Sequence, residues 1–187
     1  MLVVHHNGVR TLNEIDDFFK TRPGSIRNLE FYLGGKLKTT MMPNGVRGWG
    51  MSSSKYIHSA VWNVREFHDV NFPTRCWLKR TSGPFPLNYA PELDMSPLLD
   101  ASMASFYHTQ IGVLRWCVEL GRIDIITEVS ELLTYLAQPR DGHLDAVFHI
   151  FNYLEKRHNS RIVFDPTYPI IDMSLFKDCD WKQYYGT

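Results

Sequence analysis

The sequence predicts an α+β fold: a small antiparallel part built around a hairpin, followed by a helical part. Three observations predict it. The first fifty residues hold short β-favouring runs separated by turn dipeptides. Five prolines, at 73, 84, 86, 91 and 97, leave no room for a helix or central strand between them. From Asp100 to Asn159, apolar residues recur at helical spacing in three stretches.

Residues 2–6 (LVVHH) read as a strand closed by Asn7-Gly8. Thr11 and Glu14 have the spacing of a capping box, in which each side chain satisfies an orphan amide at a helix start. Leu12, Ile15, Phe18 and Phe19 then share one stripe, and Pro23-Gly24 ends that helix. Residues 31–42 read as one strand interrupted at Gly34-Gly35. Pro43-Asn44-Gly45 is a tight turn, and residues 46–51 return as the second arm of a hairpin. Ser52, Ser53 and Ser54 offer caps for a helix burying Ile57, Ala60, Val61, Val64 and Phe67.

The proline-rich stretch reads as an extended linker across a surface. Of the three later helices, the first is capped by Asp100 or Ser102, shows Met103, Tyr107, Ile111, Leu114 and Val118, and stops at Gly121. The second starts at Asp124 and carries Ile126, Val129, Leu132, Leu133 and Leu136 until Pro139. The third follows Asp141 with Leu144, Val147, Phe148, Phe151 and Leu154. Residues 161–164 read as a short strand. The expected units are therefore 1–70, a linker 71–98, a helical part 99–164 and a tail 165–187.

Composition is that of an ordinary globular chain, with 44% hydrophobic and 21% charged residues among 187. Twenty Lys and Arg balance twenty Asp and Glu, so any nucleic-acid footprint has to be local. Cys76, Cys117 and Cys179 are odd in number and lack metal-ligand spacing. They suit a reducing interior, with cytoplasm or nucleus as the expected location. No segment approaches the roughly 20 apolar residues of a membrane helix, so the expectation is a soluble chain without a membrane partner.

Four stretches, in order, resemble the copia-type retrotransposon reverse transcriptase. The run LVVHH is similar to the strand leaving that family's Tyr-x-Asp-Asp turn. FYLGGKL at 31–37, the hairpin, and SSKYI at 53–57 are similar to its Phe-Leu-Gly strand, hairpin and following helix. YHTQIGVLRW at 107–116 with GRIDI at 121–125 resembles a paired motif further on. HLDAVFHIFNYLEKRHNSRIVF at 143–164 resembles its His-Leu-x-Ala helix and the strand after it. No one motif is decisive, and their joint order carries the resemblance.

The resemblance implies a late-palm remnant followed by a thumb-like part of a polymerase whose fingers, remaining palm and ribonuclease H lie elsewhere in a polyprotein. The parent chemistry is two-metal phosphoryl transfer, with carboxylates holding two Mg²⁺ ions about 4 Å apart. On this alignment the paired Asp falls just before Met1. The expectation is thus a fragment that begins at an internal methionine, with no catalytic residue, no metal and no cofactor of its own. The resemblance assigns Phe31, Tyr32, Leu33, Gly34, Gly35 and Lys36 to a primer-gripping hairpin on an RNA–DNA or primer–template duplex. Glycines there let a backbone approach closely, and Lys36 can meet a phosphate.

Two departures stand out. Ile123 replaces the family's usual proline, and Asp178-Cys179-Asp180-Trp181 resembles a ribonuclease H motif without its Gly-Tyr-Ser lead-in. No nuclease carboxylate is assigned there.

Blander readings stand beside these. Phe31 to Lys36 is also readable as core β-structure with a bulge at Gly34-Gly35. Asp16-Asp17 reads as a solvated helix face rather than a catalytic pair. His5 and His6 point to opposite faces of a strand, and His143 and His149, six apart, do not share a helix face, so neither pair reads as metal ligands. The alternatives to a polymerase fragment are a non-enzymatic RNA–DNA or protein-binding module, or a functionless relic. A hairpin of two strands is marginal alone, so residues before Ser52 are expected to exchange faster than the later helices.

Overall fold

The computed structural model describes residues 8–19, 30–77 and 81–167. The expected strand at 2–6, with His5 and His6, lies outside them, as do the Pro23-Gly24 stop, the tail from residue 168 and the Asp178-Cys179-Asp180-Trp181 motif. Within the described residues the fold is α+β, a four-stranded antiparallel sheet joined to a group of helices.

Helix α1 spans Gly8–Phe18. It begins before the Thr11–Glu14 box, which therefore sits inside the helix rather than at its start. Once a first turn exists, each added residue gains a hydrogen bond at small cost, so a cap signal is easily overrun. Asp16 and Asp17 are helical, as expected, but Phe18 and Phe19 are exposed rather than buried.

The sheet runs in the order β1 (Phe31–Tyr32), β2 (Gly35–Met41), β3 (Arg47–Ser52) and β4 (Arg161–Phe164). Residues 31–42 are thus not one interrupted strand, nor one with a bulge. Tyr32 pairs with Gly35 around Leu33-Gly34, whose φ values of 50° and 94° are both positive. Two left-handed central residues match the right-handed twist of the strands they join, which makes a two-residue hairpin. The next turn forms as expected: Met42 and Val46 are bonded across it, Asn44 Oδ1 accepts from the Val46 amide, and Gly45 has φ 76°. β4 then returns from more than a hundred residues away to pair with β3, Trp49 against Phe164 and Ser52 against Arg161. The hairpin is accordingly not a two-stranded unit.

Helix α2 (Ser54–Asn71) buries Ile57, Ala60, Val61 and Val64, and adds His68. Phe67 is half-buried and stacks on Phe106 with ring centroids 3.6 Å apart. Ser53 makes no side-chain cap; instead Ser52 Oγ accepts from the Ser54 amide at 3.4 Å. Although α2 follows the hairpin in sequence, its buried face lies in the same core as the later helices.

Helix α3 (Ala101–Glu119) is capped by Asp100, whose carboxylate accepts from the Met103 amide at 2.8 Å. Gly121, at φ 96°, ends it in the left-handed conformation. A 3₁₀ turn at Ile123–Ile125 precedes α4 (Ile126–Leu133), and α5 (Asp141–Lys156) follows. The α4 stripe stops at Leu133 instead of Leu136, because residues 134–137 turn.

Tyr107, Ile111, Leu114 and Cys117 of α3 meet Val129 and Leu132 of α4. They also meet Leu144, Val147, Phe151 and Leu154 of α5 and the α2 face. Each such residue contributes about 1.5–3 kcal/mol on burial. The expected linker is irregular but stitched down rather than free. Trp77 donates to Glu155, Arg75 pairs with Asp141 and Asp145, Pro91 is buried, and His149 bonds the Gly83 carbonyl.

No strand residue belongs to the buried hydrophobic core among the described residues. The sheet touches the helices where Met51 and Ile162 meet Gly121: a β-carbon built there would lie 2.9 Å from Ile162 Cγ2.

Candidate nucleic-acid interface

The β1–β2 hairpin brings Phe31, Tyr32, Leu33, Gly34, Gly35 and Lys36 together at the edge of the sheet. Phe31 and Leu33 are 60% and 59% exposed, and Lys36 is exposed, while Gly35 is covered by Met51. Pairing decides which side each residue faces. Phe31 stands opposite Lys36 on one face, and Tyr32 opposite Gly35 on the other. A large apolar group on the edge strand thus sits beside a cation on the strand next to it.

The strands carry Lys36, Lys38, Arg47 and Arg161 and no carboxylate at all. Four of the chain's twenty cations and none of its twenty acids are therefore in the sheet, leaving sixteen against twenty elsewhere. Overall neutrality hides a local basic surface. Of these four, only Arg161 has a bonded side-chain partner among the described residues, a long contact from Nη2 to Thr40 Oγ1 at 3.5 Å.

Of the histidines considered for metal, His143 and His149 serve the fold. His143 Nδ1 accepts from the Arg140 amide at 3.2 Å and its Nε2 faces the Pro91 carbonyl at 3.1 Å, so it caps α5. His149 is held by Gly83. Among the described residues, no cluster of three or more His, Cys, Asp or Glu could hold a metal ion. None of their helices is long and apolar enough to cross a membrane.

Two polar arrangements escaped the sequence reading. Ser54 Oγ lies 2.8 Å from His158 Nδ1, and the His158 ring packs on His58 with centroids 4.0 Å apart. Among the described residues no carboxylate bonds either ring, so no nucleophile relay is assembled. The other is Arg122, buried with its side chain 1% exposed and bonded through Nε and Nη2 to both oxygens of Asp124. Two opposite charges two residues apart behind a helix-ending glycine were its only signal in the sequence.

No protein-family model, curated protein or solved structure matches the chain.

Proposed function

We propose that this chain is the part of a copia-type reverse transcriptase that holds an RNA–DNA duplex, its role being to bind rather than to transfer nucleotides. The observation that carries the reading is the hairpin of Phe31 to Lys36. It offers exposed apolar groups at the sheet's edge beside a lysine on the neighbouring strand, in strands free of carboxylates. The ordered motifs along the chain supply the family, and the hairpin supplies the contact.

A duplex is recognised through its phosphates and sugars when shape rather than sequence is read, and this makes binding salt-dependent. Lys36 meets a phosphate, while Phe31 and Leu33 pack on the sugar face of the terminal nucleotides. The test is fluorescence anisotropy of a labelled RNA–DNA hybrid at low salt. Binding that weakens at least tenfold in Phe31→Ala/Leu33→Asn is the expected result; Asn tolerates the left-handed backbone at position 33. Unchanged affinity in that variant, or no binding by the intact chain, would overturn the reading. Mg²⁺-dependent primer extension by the purified chain would overturn the assignment to binding alone.

A further inference from the structure

We propose that a second contact for the same duplex runs across one face of the sheet, where Lys36, Lys38 and Arg161 form a track for a sugar–phosphate backbone. This rests on the duplex-binding reading above and deepens it. The face follows from register. Lys36 pairs with Ser52, which pairs with Arg161; Lys38 pairs with Gly50, which pairs with Val163; Thr40 pairs with Gly48. Directly paired residues point the same way, and alternate residues along a strand do so too. All three cations therefore share one face, with Phe31 of the hairpin at its margin.

The geometry is that of a strip rather than a point. Lys36 and Lys38 are about 7 Å apart along β2, and β4 lies about 10 Å from β2 across the central strand. That central strand presents only Gly48, Gly50 and Ser52 on this side. Its lack of large side chains lets the Arg161 stem lie across it. Arg161 Cδ would sit 3.5 Å from a β-carbon at Gly50, and its guanidinium reaches Thr40 on the far strand. The Arg161 stem over Gly50 and Met42 beside Gly48 fill the floor between the strands, so the three cations stand as one strip above it.

One flanking carboxylate lies at the end of the strip and the other lies off it. Asp165, one residue beyond β4, accepts hydrogen bonds from the amide and hydroxyl of Thr167. Glu30 precedes β1, and its carbonyl accepts from the Leu37 amide, which places it opposite Leu37 on the other face. Among the described residues no ion pair engages Lys36, Lys38 or Arg161. Three cations in no ion pair, on strands that carry no acid, call for a polyanion, and the exposed hairpin beside them fits a nucleic acid.

The experiment is the salt dependence of RNA–DNA hybrid binding, since each phosphate neutralised contributes about 0.9 to the slope of log affinity against log salt. Lys38→Ala and Arg161→Ala are each expected to flatten the slope by about 1, and the triple variant with Lys36→Ala by about 2.7. Gly50→Val, which adds bulk under the Arg161 stem without removing charge, is expected to flatten it less than Arg161→Ala does. Arg115→Ala, on the outer face of α3, should leave it unchanged. All three cations are exposed, so melting by circular dichroism should show the variants folded.

A triple variant with the parental slope overturns the track while the hairpin reading stands. Loss of all binding by the intact chain overturns both. Tight binding to phosphatidylserine vesicles without binding to the hybrid would assign the strip to a lipid surface and overturn the proposal.

Discussion

Arg122 donates from Nε and Nη2 to the two carboxylate oxygens of Asp124 at 2.8 and 2.7 Å, from a position where the arginine side chain is almost wholly buried. The Tyr153 hydroxyl donates to the same carboxylate at 3.0 Å, tying α5 to the turn before α4. Arg122 Nη1 has no partner among the described residues, so the guanidinium depends on Asp124 for most of its compensation. Asp124→Ala would leave a buried cation unpaired. The expected loss is about 3 kcal/mol, the low end for breaking a buried pair, because water still reaches Asp124. The double variant Arg122→Met/Asp124→Leu should recover most of it. Urea unfolding measures both, and a neutral Asp124→Ala would refute the dependence.

Acid should find the same pair. Burial pushes the Asp124 carboxyl up, but hydrogen bonds and charge from Arg122, with the Tyr153 hydroxyl, outweigh it and hold the group below its ordinary value. A depressed carboxylate gives stability that is complete above the ordinary carboxylate range and is lost as pH falls through the folded pKa. His149 is depressed too, by burial that outweighs its bond to Gly83. Its contribution is therefore lost earlier, as pH falls below about 6.5. Stability against urea should fall in two steps. His158 shares the upper step and Asp94 the lower, both being depressed. His149→Gln should therefore reduce only the upper step and Asp124→Asn only the lower, without abolishing either; a single step in the parent chain would contradict this.

The parts of this fold that were legible in the sequence are local. Asp100 and Gly121 bound α3 because a carboxylate satisfies end amides and a glycine turns left-handed at little cost. Asn44-Gly45 makes its turn for similar reasons. What stayed hidden is non-local or rule-breaking. Nothing near residues 161–164 says that their partner is β3. Leu33 takes a positive φ that leucine seldom adopts, so its hairpin read as an interruption. For the candidate site, the six hairpin residues were visible as a group. The track was not, because Arg161 joins Lys36 and Lys38 only through sheet pairing.

Thiol chemistry should separate two cysteines. Cys117 is fully buried, and that burial, which outweighs the opposing charge of Arg122, pushes its thiol up to about 12. The thiolate is the reactive form, so Cys117 should resist alkylation in the folded chain, whereas Cys76 is exposed and should label at once. With Cys179→Ser in the background, mass spectrometry should find one label under native conditions and two in denaturant. A native label on Cys117 would show that α3 opens readily.

Gly121 links the two layers. Its φ of 96° costs an ordinary residue about 1–2 kcal/mol, and a β-carbon would press to within 2.9 Å of Ile162 Cγ2. Gly121→Ala should therefore destabilise by about 2–3 kcal/mol. Trimming the obstacle with Ile162→Ala should remove only the steric part, so the double variant should be more stable than the sum of the singles implies. Strict additivity in urea unfolding would mean that the sheet does not dock where Ile162 meets this turn.

Hydrogen exchange should rank the layers. The buried apolar side chains come from helices, with α3 and α5 supplying most of them, and no strand residue among those described joins them. Amides on α3 and α5 should thus open only with global unfolding. β3 is bonded on both sides, by β2 and by β4, and should exchange at intermediate rates. β1, two residues long at the edge, should exchange fastest of the strands. The contribution of β4 can be isolated, because Phe164, whose pair with Trp49 is a hydrogen-bonded one, donates to the ladder, so Phe164→Pro should speed exchange across β3 while leaving α5 slow. If β3 were as protected as α5, the sheet would be part of the cooperative core, and a nucleic acid gripping it would stabilise the whole chain rather than the sheet alone.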